Sequence, residues 1–223
     1  MSTLLRFVVP GFLLIISVTT SYCQLSETDT YPRLSIPESQ AYAGAYIDFG
    51  EHEDSVTLQA IQNFDKMAGK KQAMVGFSSD WGLQNFPWQQ LKIIDDYGAV
   101  PVIYWSPFDR PLGAPRAQNR FHLKKILAGE WDAYIEMWAG EAKKFGKPML
   151  VAWGLEMNGQ WFPWSGSFYG ADNPVPGKGP ARYQGPEIFK QTYRYVVDRA
   201  RQAGADNILW IFHANNTSDP NEN

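Results

Sequence analysis

PMLVAWGLEMNGQWFPWSG, residues 148–166, passes from an apolar run into a carboxylate, two carboxamides and three aromatic rings. Its first part, PMLVAWGLEM (148–157), has the length and content of a buried strand, with Glu156 at the C-terminal end. A core strand would continue in branched aliphatics, and a surface turn would not carry Trp161, Phe162 and Trp164 together. The pattern predicts a strand end that faces a partner both flat and polar.

Four other apolar runs resemble this strand: AYAGAYIDFG (41–50), QAMVGFSSDW (72–81), AVPVIYWSPF (99–108) and NILWIFHANN (207–216). Segments of helical period separate them. In DSVTLQAIQNFDKMAG, Asp54 or Ser55 is the expected cap, Leu58, Ile61 and Phe64 form the apolar stripe, and Gly69 is the stop. Gly98, Gly146 and Gly204 are the equivalent stops before three later strands. Strands apolar on both faces, alternating with helices, predict an α/β fold with a covered parallel sheet, either doubly wound or part of a (β/α)8 barrel.

The strand ends favour the barrel. Asp48, Ser78 with Asp80, Trp105 with Ser106, Glu156 with Asn158, and His213 with Asn215 fall at the C-terminal ends of five strands, the rim where barrel enzymes keep their sites. At the first strand, GAYIDFGEHED has glycines in the wrong spacing for a phosphate loop and four carboxylates, which disfavours nucleotide binding. No cofactor and no metal are expected.

These segments also carry a resemblance. GAYIDFG, WSPFDRP, ILAGEWDAYIEMWA, WGLEMNGQWFPWSG and YRYVVDRARQAGADNILWIFHANN, in this order over residues 41–217, resemble glycoside hydrolase family 26, best known for secreted endo-β-mannanases. EMNGQWFPW is the specific part. The resemblance implies a TIM-type barrel, retaining hydrolysis of a β-linked polysaccharide, an acid/base Glu ending the fourth strand, here Glu156, and a nucleophilic Glu ending the seventh. Members commonly have His just before the acid/base and Arg slightly upstream; Leu155 and Ala152 stand there instead. Beside β-mannan, a mixed-linkage glucan or a β-1,3-xylan therefore stays open.

The chemistry fits the residues. Glycosidic cleavage needs a carboxylic acid to protonate the leaving oxygen and a second carboxylate ~5–5.5 Å away if configuration is retained. Trp161 and Trp164 offer faces to sugar rings, with Phe162 expected to be loop packing, while Asn158 and Gln160 can bond hydroxyls. Trp105, His213, Asn215 and Asp48 complete the candidate substrate contacts. Each has a blander reading: Glu156 as a solvated rim residue, His213 as a structural group, Asp48 and Asp80 as helix caps, Trp105 as filling of the barrel mouth. Asn215 and Asn216 each head an N-x-Ser/Thr sequon.

Composition bounds the partners. The 223 residues carry a net charge of -3, with 20 basic residues scattered among 23 acidic ones and no basic run, so neither nucleic acid nor an anionic membrane is an expected partner. An oligosaccharide or polysaccharide is, and a monomer is expected. Residues 1–23 have one basic residue, Arg6, an apolar run from Phe7 to Val18 and small residues before Cys23, the pattern of a secretory signal. The alternatives are a membrane anchor, for which the run is short of ~20 residues, and a lipoprotein site, disfavoured by Tyr22. Residues 24–40 read as a linker or N-terminal arm and 41–223 as the catalytic domain. That domain falls short of the ~250 residues of a complete barrel, so the chain is expected to be truncated, with the nucleophile's strand outside it. A non-catalytic carbohydrate-binding protein on the same scaffold is the competing expectation.

Overall fold

The computed structural model describes residues 38–39, 41–47, 49, 54–109, 120–178 and 182–217. Residues 1–23, expected as a secretory signal, almost all of the expected arm 24–40, and Asp48 lie outside them. The order of elements is β1 (Gly44–Tyr46), α1 (Leu58–Ala68), β2 (Met74–Asp80), α2 (Trp88–Tyr97), β3 (Val100–Ser106), α3 (Leu123–Leu127), α4 (Asp132–Phe145), β4 (Met149–Trp153), α5 (Gln184–Gln202) and β5 (Ile208–Trp210). The five strands pair in parallel in the order β1-β2-β3-β4-β5. A doubly wound sheet reverses its strand order at a switch point; strands laid down strictly in sequence are those of an incomplete α/β barrel.

Helix ends follow local chemistry. Thr57, rather than Asp54 or Ser55, caps α1, its Oγ1 accepting from Ala60 N at 3.2 Å, and Leu58 at the first turn stays exposed while Ile61 is buried. Gly69, Gly98 and Gly146 end α1, α2 and α4 in the left-handed conformation, open to glycine without steric cost.

Alternation along the strands separates two faces. Val75 and Phe77 of β2, Ile103 and Trp105 of β3, and Val151 and Trp153 of β4 are buried under the helices. There Trp105 stacks on Trp138 of α4 at 4.3 Å and 22°, and Trp81 joins at 5.0 Å from Trp105. The opposite face carries Val102, in register with Leu150, which is in register with Leu209. These three side chains are only partly covered.

Candidate active site at the C-terminal rim

Glu156 lies in the loop just beyond β4 with φ +51°, a conformation uncommon for a non-glycine residue and tolerated where surrounding structure enforces it. Four bonds do so. Gly154 N donates to Trp105 O at 3.4 Å, Glu156 N to His213 O at 2.7 Å and Gly159 N to Glu156 O at 3.0 Å. Trp164 Nε1 donates to Leu155 O at 2.7 Å. The loop is thus tied to β3 and to the irregular continuation of β5, itself extended by Ile211 N to Val151 O at 2.8 Å.

The Glu156 carboxylate accepts a hydrogen bond from Trp161 Nε1 at 2.9 Å. A Cβ on Gly159 would run into the Trp161 indole, so the ring reaches the carboxylate only because position 159 is glycine. Beside it stands Tyr104, on the less covered face of β3 and in register with Ser78 and Ala152. Burial first, and then the negative charge of Glu156, raises the Tyr104 hydroxyl above the usual tyrosine range. Its ring lies 5.4 Å from His213 and 5.2 Å from Tyr46. The Tyr46 hydroxyl is within 3.2 Å of Ser78 Oγ, and a Cβ on Gly76 would press on both tyrosine rings. Glu156, Trp161, Tyr104, His213, Tyr46 and Ser78 thus form one mouth: a carboxyl group oriented by the Trp161 N–H, among aromatic faces. Such a group can deliver a proton to an oxygen seated in the mouth.

Several expected contacts stand elsewhere. Trp105 has the opposite strand parity from Tyr104, is fully buried, and donates Nε1 to Tyr134 Oη at 3.1 Å; it is a core residue behind the sheet. Burial, with a smaller push from Asp80, raises the Tyr134 hydroxyl despite that bond. Trp164 is 1% exposed and forms the floor under Phe162, the rings stacked at 4.6 Å and 12°. Neither tryptophan offers a face to a ligand. Asn158 and Asn215 stitch the loop to the β5 continuation, Asn215 N donating to Asn158 Oδ1 at 2.8 Å and Asn158 Nδ2 to Asn215 O at 3.1 Å. Asp80 takes the N-cap position of the turn Trp81–Leu83 without a side-chain cap bond and is buried. Leu155 packs against the core. Among the described residues, no three or more His, Cys, Asp or Glu side chains gather as a metal site.

Tyr46 and Tyr104 were not singled out from the sequence. The signal was there: parity along VPVIYWS (100–106) puts Tyr104 and Trp105 on opposite faces, so only one of the two can reach the mouth.

The family described as glycosyl hydrolase family 26 matches residues 120–223. Endoglucanase H of Acetivibrio thermocellus is 26% identical over 158 residues, which are 70% of this chain and 15% of that protein. Among solved structures, the YdhT protein from Bacillus subtilis superposes with a TM-score of 0.55 at 19% identity, covering 80% of this chain and 57% of the other. The Bacillus subtilis mannanase man26 superposes at 0.52 and 19% identity, covering 77% and 54%. The chain therefore spans little more than half of those two structures and a small part of the endoglucanase. At such identities the likeness of the structures is one of fold.

Proposed function

We propose that this protein, whose residues 120–223 match glycosyl hydrolase family 26, is a secreted glycosidase that cleaves a β-linked polysaccharide, β-mannan first, with retention of configuration. Glu156 is the acid/base: as an acid it protonates the leaving glycosidic oxygen, and as a base it then activates the water that releases the glycosyl-enzyme. The carrying observation is the Glu156 carboxylate at the rim beyond β4, held by Trp161 Nε1 at 2.9 Å. Trp161 orients that carboxylate, and Tyr104, His213 and Tyr46 line the path of the sugar. The nucleophilic carboxylate, ~5–5.5 Å from Glu156 in a retaining enzyme, would come from a later strand closing the barrel, and residues 24–223 alone would be inactive and prone to aggregate through the uncovered sheet face.

The test is to incubate the protein, expressed from its native reading frame, with β-mannan, mixed-linkage glucan and β-1,3-xylan and to follow the anomeric protons of the products by NMR. Release of the β-anomer first from mannan supports the reading; first release of the α-anomer refutes retention, and turnover of the mixed-linkage glucan or the β-1,3-xylan alone refutes the mannan preference. A second reading, a carbohydrate-binding protein without turnover, is favoured by Leu155 and Ala152 standing where the family commonly has His and Arg. Binding of all three polysaccharides with no product from any would establish it.

A further inference from the structure

We propose that the pocket between α3, the loop 166–175 and α5 is a second carbohydrate site, distinct from the rim, which holds a short neutral oligosaccharide; this rests on the glycosidase reading above. The pocket has a volume of about 550 Å³, within the ~300–1,000 Å³ of small-ligand sites. Its lining includes Phe168 and Tyr169, the carboxamides of Gln184 and Gln191, and one charge of each sign, Lys124 and Glu187. None of the residues that form the mouth around Glu156 lines it.

The walls are fixed from within. Tyr169 Oη accepts from Leu123 N at 3.2 Å and donates to Pro163 O at 3.3 Å, so the ring is anchored by its tip. A Cβ on Gly170 would collide with the Gln184 side chain, and one on Gly185 with the backbone of Gly166; loop and helix approach this closely because both positions are glycine. The loop after β4 therefore has two working halves. Residues 154–161 present Glu156 and Trp161 to the mouth, residues 168–175 wall the pocket, and the buried Trp164 and Ser165 lie between them in sequence.

The polar groups define the ligand. His122 Nδ1 accepts from Lys124 N at 3.2 Å, and burial, aided by Lys124 and Lys125, lowers its pKa. The ring is therefore neutral at pH 7 and carries its proton on Nε2, as a donor. Glu187 Oε1 accepts from Gln191 Nε2 at 3.2 Å. That bond, together with Lys190 and Arg182, holds the carboxyl below its usual range, so Glu187 stays an acceptor. The lining itself holds one positive and one negative side chain, Lys124 and Glu187, and Lys190 and Arg182 pair with Glu187 from outside it, so the pocket lacks the converging cations that select a phosphate or a carboxylate. Donors, acceptors and aromatic surface in one pocket match a molecule with dense hydroxyls and apolar ring faces, which a neutral sugar has.

The test is calorimetric titration of the protein from its native reading frame, in a Glu156→Gln background that spares the ligand, with mannotetraose and with cellotetraose. Two binding events are expected with one of these probes. Replacing Lys124 and Gln191 with Ala, both exposed side chains remote from the core, should weaken one event by about tenfold or more and leave the other unchanged, while Trp161→Ala should do the reverse. A single event sensitive to Trp161 and indifferent to Lys124 and Gln191 overturns the second site and leaves the glycosidase reading standing. A single event sensitive only to the pocket changes supports the site and overturns the role of the rim. No event with either probe overturns both.

Discussion

Replacing Trp105 with Ala decides whether this residue is core or ligand surface. Its indole is fully buried, stacked at 4.3 Å on Trp138, with Trp81 at 5.0 Å, and its N–H is spent on Tyr134 at 3.1 Å. Truncating a large buried ring costs ~3–5 kcal/mol, and the stranded Tyr134 hydroxyl adds about 1 kcal/mol. Against a domain stability of ~5–15 kcal/mol, that is a large share. With a urea m-value of ~2.5 kcal/mol/M, a loss of ~5 kcal/mol lowers the unfolding midpoint by roughly 2 M. Trp105→Phe, which keeps a ring but loses the donor, should cost about 1–2 kcal/mol. The assay is urea unfolding followed by tryptophan fluorescence, beside calorimetry with a β-linked oligosaccharide. An unchanged midpoint accompanied by weakened sugar binding would refute the assignment of Trp105 to the core.

Trp161→Phe removes the donor to Glu156 but keeps a ring, and should lower kcat about tenfold or more with little change in KM; an unchanged kcat would mean that the bond orients nothing. Gly159→Ala should act the same way, because the added Cβ displaces the same indole, and an intact rate would show that the indole can relocate without leaving Glu156. Asn158→Ala, by cutting the bonds to Asn215, should cost about 1–2 kcal/mol and speed hydrogen exchange at the Asn215 amide, whereas unaltered exchange would place the stitch elsewhere. His122→Asn keeps a side-chain cap on α3 while removing a group whose pKa is lowered first by burial and then by Lys124 and Lys125. The folded state resists protonation there, so wild-type stability should fall relative to this variant as pH drops below ~6.5 and run parallel to it above; a wild type that gains on the variant in acid contradicts the sign.

The strands were legible because each apolar run after the first follows a glycine that stops a helix, and their sequential order was foreshadowed by polar residues at every C-terminal end. Which face each rim residue serves was less legible. When both faces of a strand are apolar, hydrophobicity does not mark the parity, so Trp105 stood out by size while its neighbour Tyr104 holds the mouth. The loop beyond β4 has no period at all. There EMNGQWFPW announced a site, but only packing reveals that Trp164 is floor and Trp161 is the partner of Glu156. Asn158 and Asn215 are polar residues at a rim, which sequence cannot divide into those that bind a ligand and those that bind the backbone. Leu155, set against the core, is legible as a departure from the family pattern, but its effect on substrate choice depends on residues across the mouth.

In the proposed mechanism Glu156 donates the proton to the leaving group. The most direct measurement compares Glu156→Gln with wild type on β-mannan and on a 2,4-dinitrophenyl β-glycoside, whose leaving group departs without protonation. Loss of a general acid should reduce kcat on mannan by ~10²–10⁴-fold, with formation of the glycosyl-enzyme from the aryl glycoside, read as the dinitrophenolate burst, left near the wild-type rate. Equal loss on both substrates, or mannan turnover undiminished by the substitution, would contradict it.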